Sequence, residues 1–229
     1  MSAGVKFGKV DVSKKYKNIV IVASGPSVNQ INLNKLRNLE DTFIIAVNGS
    51  GNFVPFADAW FTLDPWGLDG PQLPKNFSGK LYAAVPQDFG TKFARIEQYK
   101  KVPTADITYL HRLISHNYTN VTSETAYVEG LSEDTGCIST GNSGYGALNI
   151  AYHMRPFNIF LLGLDGSLGY WYPSDKSNRP LTHLPTMMNS AKQQLDDASI
   201  NVYNVSQTSI INTFEKISPE EFYSKLDEN

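Results

Sequence analysis

Two glycine-containing turns, each next to an apolar segment, carry the residues whose types and spacing are suited to chemistry. The first turn, Gly25-Pro26-Ser27, directly follows the apolar run 18–23. The second lies within 139–146, and its small and polar residues are Thr140, Gly141, Asn142 and Ser143. Small residues at the end of a buried strand let a phosphate group approach free backbone N–H groups closely. The two turns therefore predict a nucleotide-binding α/β enzyme.

Three further polar residues follow apolar runs, namely Asn48, Asp64 and Asp165. Asn48 is suited to bind ribose, phosphate or sugar through its amide. Asp64 and Asp165 together could hold Mg²⁺ on a diphosphate, since carboxylates are the ligands that such cations prefer. The alternative is that Asp165 caps the next turn and that Asp64 simply precedes a proline. Glycine, proline, asparagine and serine also end strands for backbone reasons alone.

The elements that must position these residues alternate between strand and helix. Strand-like apolar runs lie at 18–23, 42–47, 59–63, 81–85, 107–110, 158–165 and 200–203. Helical spacing of apolar residues predicts helices at 30–39 and 187–198, and another after the second turn. Such alternation predicts an α/β fold with a Rossmann-like, mostly parallel sheet flanked by helices. Ligands bind such sheets beyond the carboxyl ends of the strands, where the residues above would meet.

Length and loop composition predict one domain with lid segments. The 229 residues are enough for a single large α/β domain over 1–229. The segments 111–140 and 166–185 are long and loop-rich, and such segments over a sheet edge often cover active sites. For 111–140, a surface insertion without function is an equal alternative.

Composition excludes several classes of protein. The net charge of −2 gives no reason to expect strong binding to nucleic acid or membranes. A single cysteine, Cys137, excludes an intrachain disulfide and favours a reducing compartment. We expect no secretory signal, because residues 1–9 contain no apolar core segment. We also expect no integral membrane segment, because no apolar run approaches ~20 residues, and thus a cytoplasmic location. The chain contains no P-loop motif and no Gly-x-Gly-x-x-Gly after its first strand.

The order and spacing of these motifs resemble a known group of proteins. Gly25-Pro26-Ser27 after the first strand, an Asn after the second and Asp64-Pro65 after the third form one part of the pattern. The block 140–144 and the segment 159–165 form the other. Together they look like the bacterial sialyltransferases of glycosyltransferase family 42 and the related MptE-like proteins, which include pterin diphosphokinases and flagellin-modifying transferases. The resemblance implies transfer of a sugar from a nucleotide-activated donor to an acceptor hydroxyl, without a required cofactor or metal.

Specific residues take roles from this resemblance. His183 matches the histidine that acts as general base on the acceptor hydroxyl, and an imidazole titrates near neutral pH, as this role requires. Tyr170 and Tyr172 match tyrosines that bind the leaving phosphate. A phenol suits this role, because its hydroxyl donates a hydrogen bond to a phosphate oxygen. The alternatives are a loop or helix-capping histidine and aromatic packing over the sheet edge. His153 is predicted to be structural, His111 and His116 to lie in loops, and no residues show zinc-ligand spacing.

Two other functions remain open at this point. One is a Mg²⁺-dependent diphosphotransferase of the 6-hydroxymethylpterin diphosphokinase type, which would use Asp64 and Asp165. The other is a nucleotide-binding protein without catalytic activity. The expected partners are a nucleotide-sugar donor and a glycan or other hydroxyl acceptor, with modified DNA not excluded, and the resemblance allows a homo-oligomer.

Overall fold

Nine parallel strands form one sheet in the part of the chain that the computed structural model describes. It covers residues 7–63, 74, 77–86, 107–113, 128–139, 141–166, 169–172 and 180–228. The strands are β1 (Asn18–Val22), β2 (Thr42–Val47), β3 (Ala59–Thr62), β4 (Lys80–Pro86), β5 (Ile107–Leu113), β6 (Cys137–Ser139), β7 (Asn158–Leu162), β8 (Asn201–Asn204) and β9 (Glu215–Lys216). Their spatial order is β6-β5-β4-β3-β2-β1-β7-β8-β9, with every neighbouring pair parallel. This confirms the predicted α/β fold.

Three α-helices flank the sheet in the described part of the chain. They are α1 (Ser143–Met154), α2 (Leu184–Asp197) and α3 (Pro219–Asp227). None of the helices in the described ranges combines the length and the apolar character that crossing a bilayer requires. Three 3₁₀ turns, Pro26–Gln30, Leu33–Leu36 and Asn48–Asn52, follow β1 and β2.

The prediction of a helix over 30–39 was wrong, because that region forms 3₁₀ turns and extended backbone. Ile31 ends the first turn with extended dihedral angles. The Asn32 side chain then caps the second turn by accepting a hydrogen bond from the Asn34 N–H. Asn38 adopts a left-handed φ of 60°. Asparagine side chains compete with the helical hydrogen bonds and so favour turns, which overrides the apolar spacing.

The central strands are buried on both faces. In β1, Ile19 and Ile21 pack into the cluster that contains α1 and α2. Val20 and Val22 point to the opposite cluster, where Phe222 of α3 packs. Because successive side chains of a strand point to opposite faces, burial on both faces requires a continuous apolar run. This is why β1, β2 and β7 could be predicted from the sequence.

Polar side chains of α1 close one edge of the sheet. Every residue of α1 is buried. The Asn149 Oδ1 atom accepts hydrogen bonds from the N–H groups of Ser132 and Ser139, at 2.9 and 2.8 Å. Ser139 belongs to β6, so the asparagine takes the place of a neighbouring strand at this edge. His153 contacts Asn149 and the Cys137 carbonyl, and this confirms its predicted structural role.

Strands lie at both ends of the first predicted lid segment, and a helix forms near the end of the chain. His111 lies in β5 and stacks on Phe7 with 4.0 Å between ring centroids, so its assignment to a loop was wrong. Residues 111–113 and 137–139, at the two ends of the first predicted lid segment, are strands. His116 and residues 114–127 lie outside the described residues. The acidic segment after 218 forms α3, and a capping box of Ser218 and Glu221 begins it.

Candidate functional site

A small cavity lies at the carboxyl ends of β1 and β7, where the strand order of the sheet reverses. The chain passes from β1 to β2 on one side, whereas β7 pairs with the other side of β1. Ligands of open α/β sheets bind at such a switch point. The cavity has a volume of about 70 Å³. Its lining is mostly small or polar and comprises Ala23, Ser24, Gly25, Val47, Asn48, Asn142, Ser143, Gly144, Gly163, Leu164, Asp165, Gly166, Gly169, Leu181 and Leu184.

The structure brings many of the predicted binding residues together here. Gly25, Asn48, Asn142, Ser143 and Asp165 line the cavity. Pro26 and Gly141 adjoin lining residues along the chain, and Ser27 is hydrogen-bonded to the lining residue Asp165, but none of the three lines the cavity. Asp64 and Thr140 lie outside the described residues. The predicted catalytic residues Tyr170, Tyr172 and His183 lie near the cavity rather than in its wall.

Asp165 holds the turn after β1 against the turn after β7. Its carboxylate is 1% exposed. Oδ2 accepts a hydrogen bond from the Ser27 N–H at 2.8 Å, and Oδ1 accepts one from the Ser27 hydroxyl at 2.5 Å. Gly25 fits between the two turns only because it lacks a side chain, since a Cβ there would lie 2.5 Å from Oδ2 of Asp165 and 2.6 Å from the Gly163 carbonyl. Both carboxylate oxygens therefore serve the local structure.

The turn after β2 places Asn48 at the cavity in a specific orientation. Asn48 has a left-handed φ of 54°, which asparagine tolerates better than most residues. Its Oδ1 accepts from the Thr62 hydroxyl at 2.8 Å, and its carbonyl accepts from the Trp60 indole at 2.8 Å. Because the side-chain oxygen is engaged, the amide NH₂ is the group of Asn48 suited to bind a ligand.

The amino-terminal end of α1 faces the cavity. Asn142 caps this helix, and its Oδ1 accepts from the Gly144 N–H at 2.7 Å. The Ser143 hydroxyl lies 3.4 Å from the Leu63 N–H, which donates to it. The first N–H groups of a helix lack partners within the helix and carry partial positive charge, so they attract anions. This end of α1 thus favours an anionic group, such as a phosphate, on its side of the cavity.

An aromatic segment after β7 folds over the end of β1. The Trp171 N–H and indole N–H donate to the carbonyls of Ser24 and Ala23, at 3.1 and 2.9 Å. The Tyr172 hydroxyl shares a hydrogen bond with the Ser24 side chain, and burial raises the pKa of Tyr172 to about 12. Tyr170 lies beside Tyr172, with 5.3 Å between the ring centroids. At neutral pH Tyr172 is a protonated phenol that can donate a hydrogen bond at the cavity edge.

His183 occupies the position directly before α2. It is the N-terminal flanking residue of the helix, but its side chain makes no capping hydrogen bond, so the capping alternative does not apply. Leu181 and Leu184, on either side of it, line the cavity. The imidazole is half-buried, with both ring nitrogens shielded from solvent. The histidine therefore stands next to the cavity at the same edge of the sheet.

Metal ligands do not cluster at the site among the residues that the structure describes. No group of three or more His, Cys, Asp or Glu residues in those ranges is placed to hold a metal ion. Asp165 is the one ionisable side chain in the cavity wall as described, and Ser27 engages both of its oxygens.

Phe53 is a residue of this region that the sequence analysis missed. It directly follows the Asn48–Asn52 turn and is 44% exposed. Its ring stacks on Tyr172 with 4.9 Å between centroids and 13° between planes. A single phenylalanine after a polar turn gives no sequence signal, because its partner lies more than a hundred positions away.

Comparison with known proteins yields a likeness in fold. No family model and no curated protein matches the chain. Among solved structures, it is similar to the MAf glycosyltransferase from Magnetospirillum magneticum AMB-1, with a TM-score of 0.50 and 15% sequence identity. The match covers 97% of this chain and 39% of that protein, so this chain spans about two fifths of its neighbour's length. At this level of identity the likeness shows that the two proteins share an α/β fold.

Proposed function

We propose that this protein binds a nucleotide-activated sugar at the cavity between β1 and β7 and transfers the sugar to an acceptor hydroxyl. The observation that carries the proposal is a phosphate-sized cavity at the switch point, bordered by the amino end of α1 and the turn at Gly25. Such a site binds an anion through backbone N–H groups and hydroxyls. The fold shared with a glycosyltransferase supports the same reaction class.

The residues near the cavity suit the steps of the transfer. His183 takes the proton of the acceptor hydroxyl, and the acceptor oxygen then attacks the anomeric carbon of the donor. The bond from that carbon to the phosphate oxygen breaks, and negative charge develops on the leaving phosphate. Tyr172, with Tyr170 beside it, donates a hydrogen bond to this phosphate, and the amino end of α1 stabilises its charge. Asn48 and Ser143 bind the donor through their amide and hydroxyl.

The finer parts of the proposal rest on the sequence pattern. They are membership of family 42 or the MptE-like group, a sialic-acid-like sugar, binding roles for Pro26, Asp64, Thr140 and Gly141, and a reaction in the cytoplasm without a required metal. The acceptor is a glycan or another hydroxyl compound, modified DNA included, and the protein is proposed to form a homo-oligomer.

The Mg²⁺-dependent diphosphotransferase is the weaker candidate. Its metal would need Asp165, whose two oxygens already accept hydrogen bonds from Ser27. Turnover that survives EDTA would count against it. Nucleotide binding without turnover of any donor and acceptor would favour the third candidate, a binding protein.

His183→Ala tests the proposed base. We expect the variant to bind the donor nucleotide as the wild type does and to lose transfer by a factor of roughly 10² to 10⁴, the usual contribution of a general base. Release of nucleotide from the donor, followed by chromatography, gives the rate. Thr182→Ala is the control, since Thr182 is an exposed neighbour on the same turn. Equal transfer rates for the two variants would refute the role of His183.

A further inference from the structure

The volume of the cavity limits what it can hold. Sites that enclose a whole small-molecule ligand measure roughly 300–1,000 Å³. The cavity between β1 and β7, at about 70 Å³, is large enough for a phosphate group but not for a nucleoside. If the proposed function is correct, the nucleoside of the donor must therefore lie on the surface next to the cavity.

The side of the cavity on which the nucleoside lies follows from the topology. In doubly wound sheets the phosphate sits at the turn after β1, and the ribose lies towards the end of β2. Here the end of β2 carries Asn48, which lines the cavity, and the Asn48–Asn52 turn leads directly to Phe53. A nucleoside that extends from the cavity in this direction points towards Phe53, the residue after this turn.

Phe53, Trp171 and Tyr172 form an aromatic surface, the aromatic ledge, at this place. The Tyr172 ring stacks nearly parallel to Phe53. The Trp171 ring meets Phe53 edge-on, with 5.5 Å between the ring centroids and 66° between the ring planes. Two of the three rings are tied to the cavity wall, because Trp171 donates to Ala23 and Tyr172 is hydrogen-bonded with Ser24. A Cβ on Gly49 would lie 2.5 Å from the Tyr172 hydroxyl, so the ledge also packs closely on the β2 turn.

One face of Phe53 is available to a ligand. Tyr172 covers the other face, and Phe53 as a whole is still 44% exposed, so area remains for a ligand on the face away from Tyr172. A phenyl ring held from behind by a second ring loses little conformational freedom when a flat ligand stacks on it. Aromatic side chains in such positions bind nucleobases through their π-faces.

We infer that the exposed face of Phe53 stacks on the base of the bound nucleotide. This inference rests on the proposed function, because it assumes that the cavity takes the nucleotide phosphate. It assigns the phosphate to the cavity and the base to the aromatic ledge. Stacking contributes affinity for the base portion of the ligand and none for a ribose phosphate that lacks a base.

Titration calorimetry with base-bearing and base-free ligands tests the inference. The ligands are CMP, UMP, GMP, AMP and ribose 5-phosphate, each measured on the wild type, Phe53→Ala, Phe53→Tyr and Phe157→Ala. We expect Phe53→Ala to weaken the tightest nucleotide by about tenfold, within the range of base–aromatic stacking, and to leave ribose 5-phosphate unchanged. Phe53→Tyr keeps the ring and should restore the affinity. Phe157→Ala removes an exposed phenylalanine that precedes β7, at the amino ends of the strands and thus away from the cavity. This variant should bind each ligand as the wild type does.

Two results would overturn the inference while the proposed function stands. One is unchanged nucleotide affinity in Phe53→Ala. The other is an equal loss for ribose 5-phosphate, which would mean that the substitution displaced Tyr172 rather than removing a stacking partner. Phe53→Leu keeps apolar packing on Tyr172 and provides the same test if the alanine variant unfolds. If no nucleotide binds the wild-type protein, the proposed function fails together with the inference.

Discussion

The buried hydrogen bond between Ser27 and Asp165 is the contact on which the geometry of the site depends most directly. Ser27→Ala removes the hydroxyl that donates to Oδ1 of Asp165 at 2.5 Å, and leaves a carboxylate that is 1% exposed with one donor fewer. A hydrogen bond to a buried charged group contributes about 1.5–3 kcal/mol. We therefore expect a loss of about 2 kcal/mol in the free energy of unfolding, which for a chain of this length lowers Tm by about 4–8 °C.

Ser13→Ala is a matched control for this experiment. The Ser13 hydroxyl donates to Oδ1 of Asp11 at 2.6 Å, so the bond has the same chemistry and nearly the same length, but it is exposed to solvent. Exposed bonds of this kind change stability by less than about 0.5 kcal/mol. Urea titration of both variants, followed by circular dichroism, gives the two free energies. Equal losses in the two variants would refute the claim that the Asp165 contact is a buried, charge-assisted support of the site.

Two further predictions follow from the structure. Gly25→Ala would place a Cβ against a carboxylate oxygen and a backbone carbonyl, at 2.5 and 2.6 Å, so it should lower the urea midpoint and weaken nucleotide binding in the same calorimetric assay. Gly136→Ala meets its nearest atoms at 3.4 Å and should change neither; equal effects would contradict the close approach. Burial lowers the pKa of His153, so below about pH 6.5 the unfolded chain binds a proton more readily than the folded chain. The free energy of unfolding therefore decreases as the pH is lowered through this range. His153→Gln should reduce the loss in urea midpoint between about pH 7.5 and about pH 5.5, and an unchanged loss would refute this.

The long buried strands could be predicted from the sequence, whereas the short elements could not. β1, β2 and β7 are five or six residues long and continuously apolar, as double-sided burial requires. β6 and β9 have three and two residues, which is too few for a periodic pattern. α3 was not predicted, although Ser218 and Glu221 have the spacing of a capping box.

The convergence of residues at the candidate site could also be predicted, but the contacts within it could not. Because the strands are parallel, Gly25, Asn48 and Asp165 meet at one edge of the sheet, as their positions after apolar runs indicated. The hydrogen bond between Asp165 and Ser27 joins residues 138 positions apart in the chain, and no local sequence pattern indicates it. The stacking of Phe53 on Tyr172 is likewise tertiary.

Thermal unfolding of the protein with a panel of CMP-, UDP-, GDP- and ADP-sugars tests the central claim most directly. A ligand that binds only the folded state stabilises it by mass action, by about 2.7 kcal/mol at a hundred times its Kd. The proposed function predicts that at least one nucleotide sugar raises Tm by several degrees in the presence of EDTA. If no nucleotide sugar changes Tm at millimolar concentration, the cavity between β1 and β7 is not a donor site.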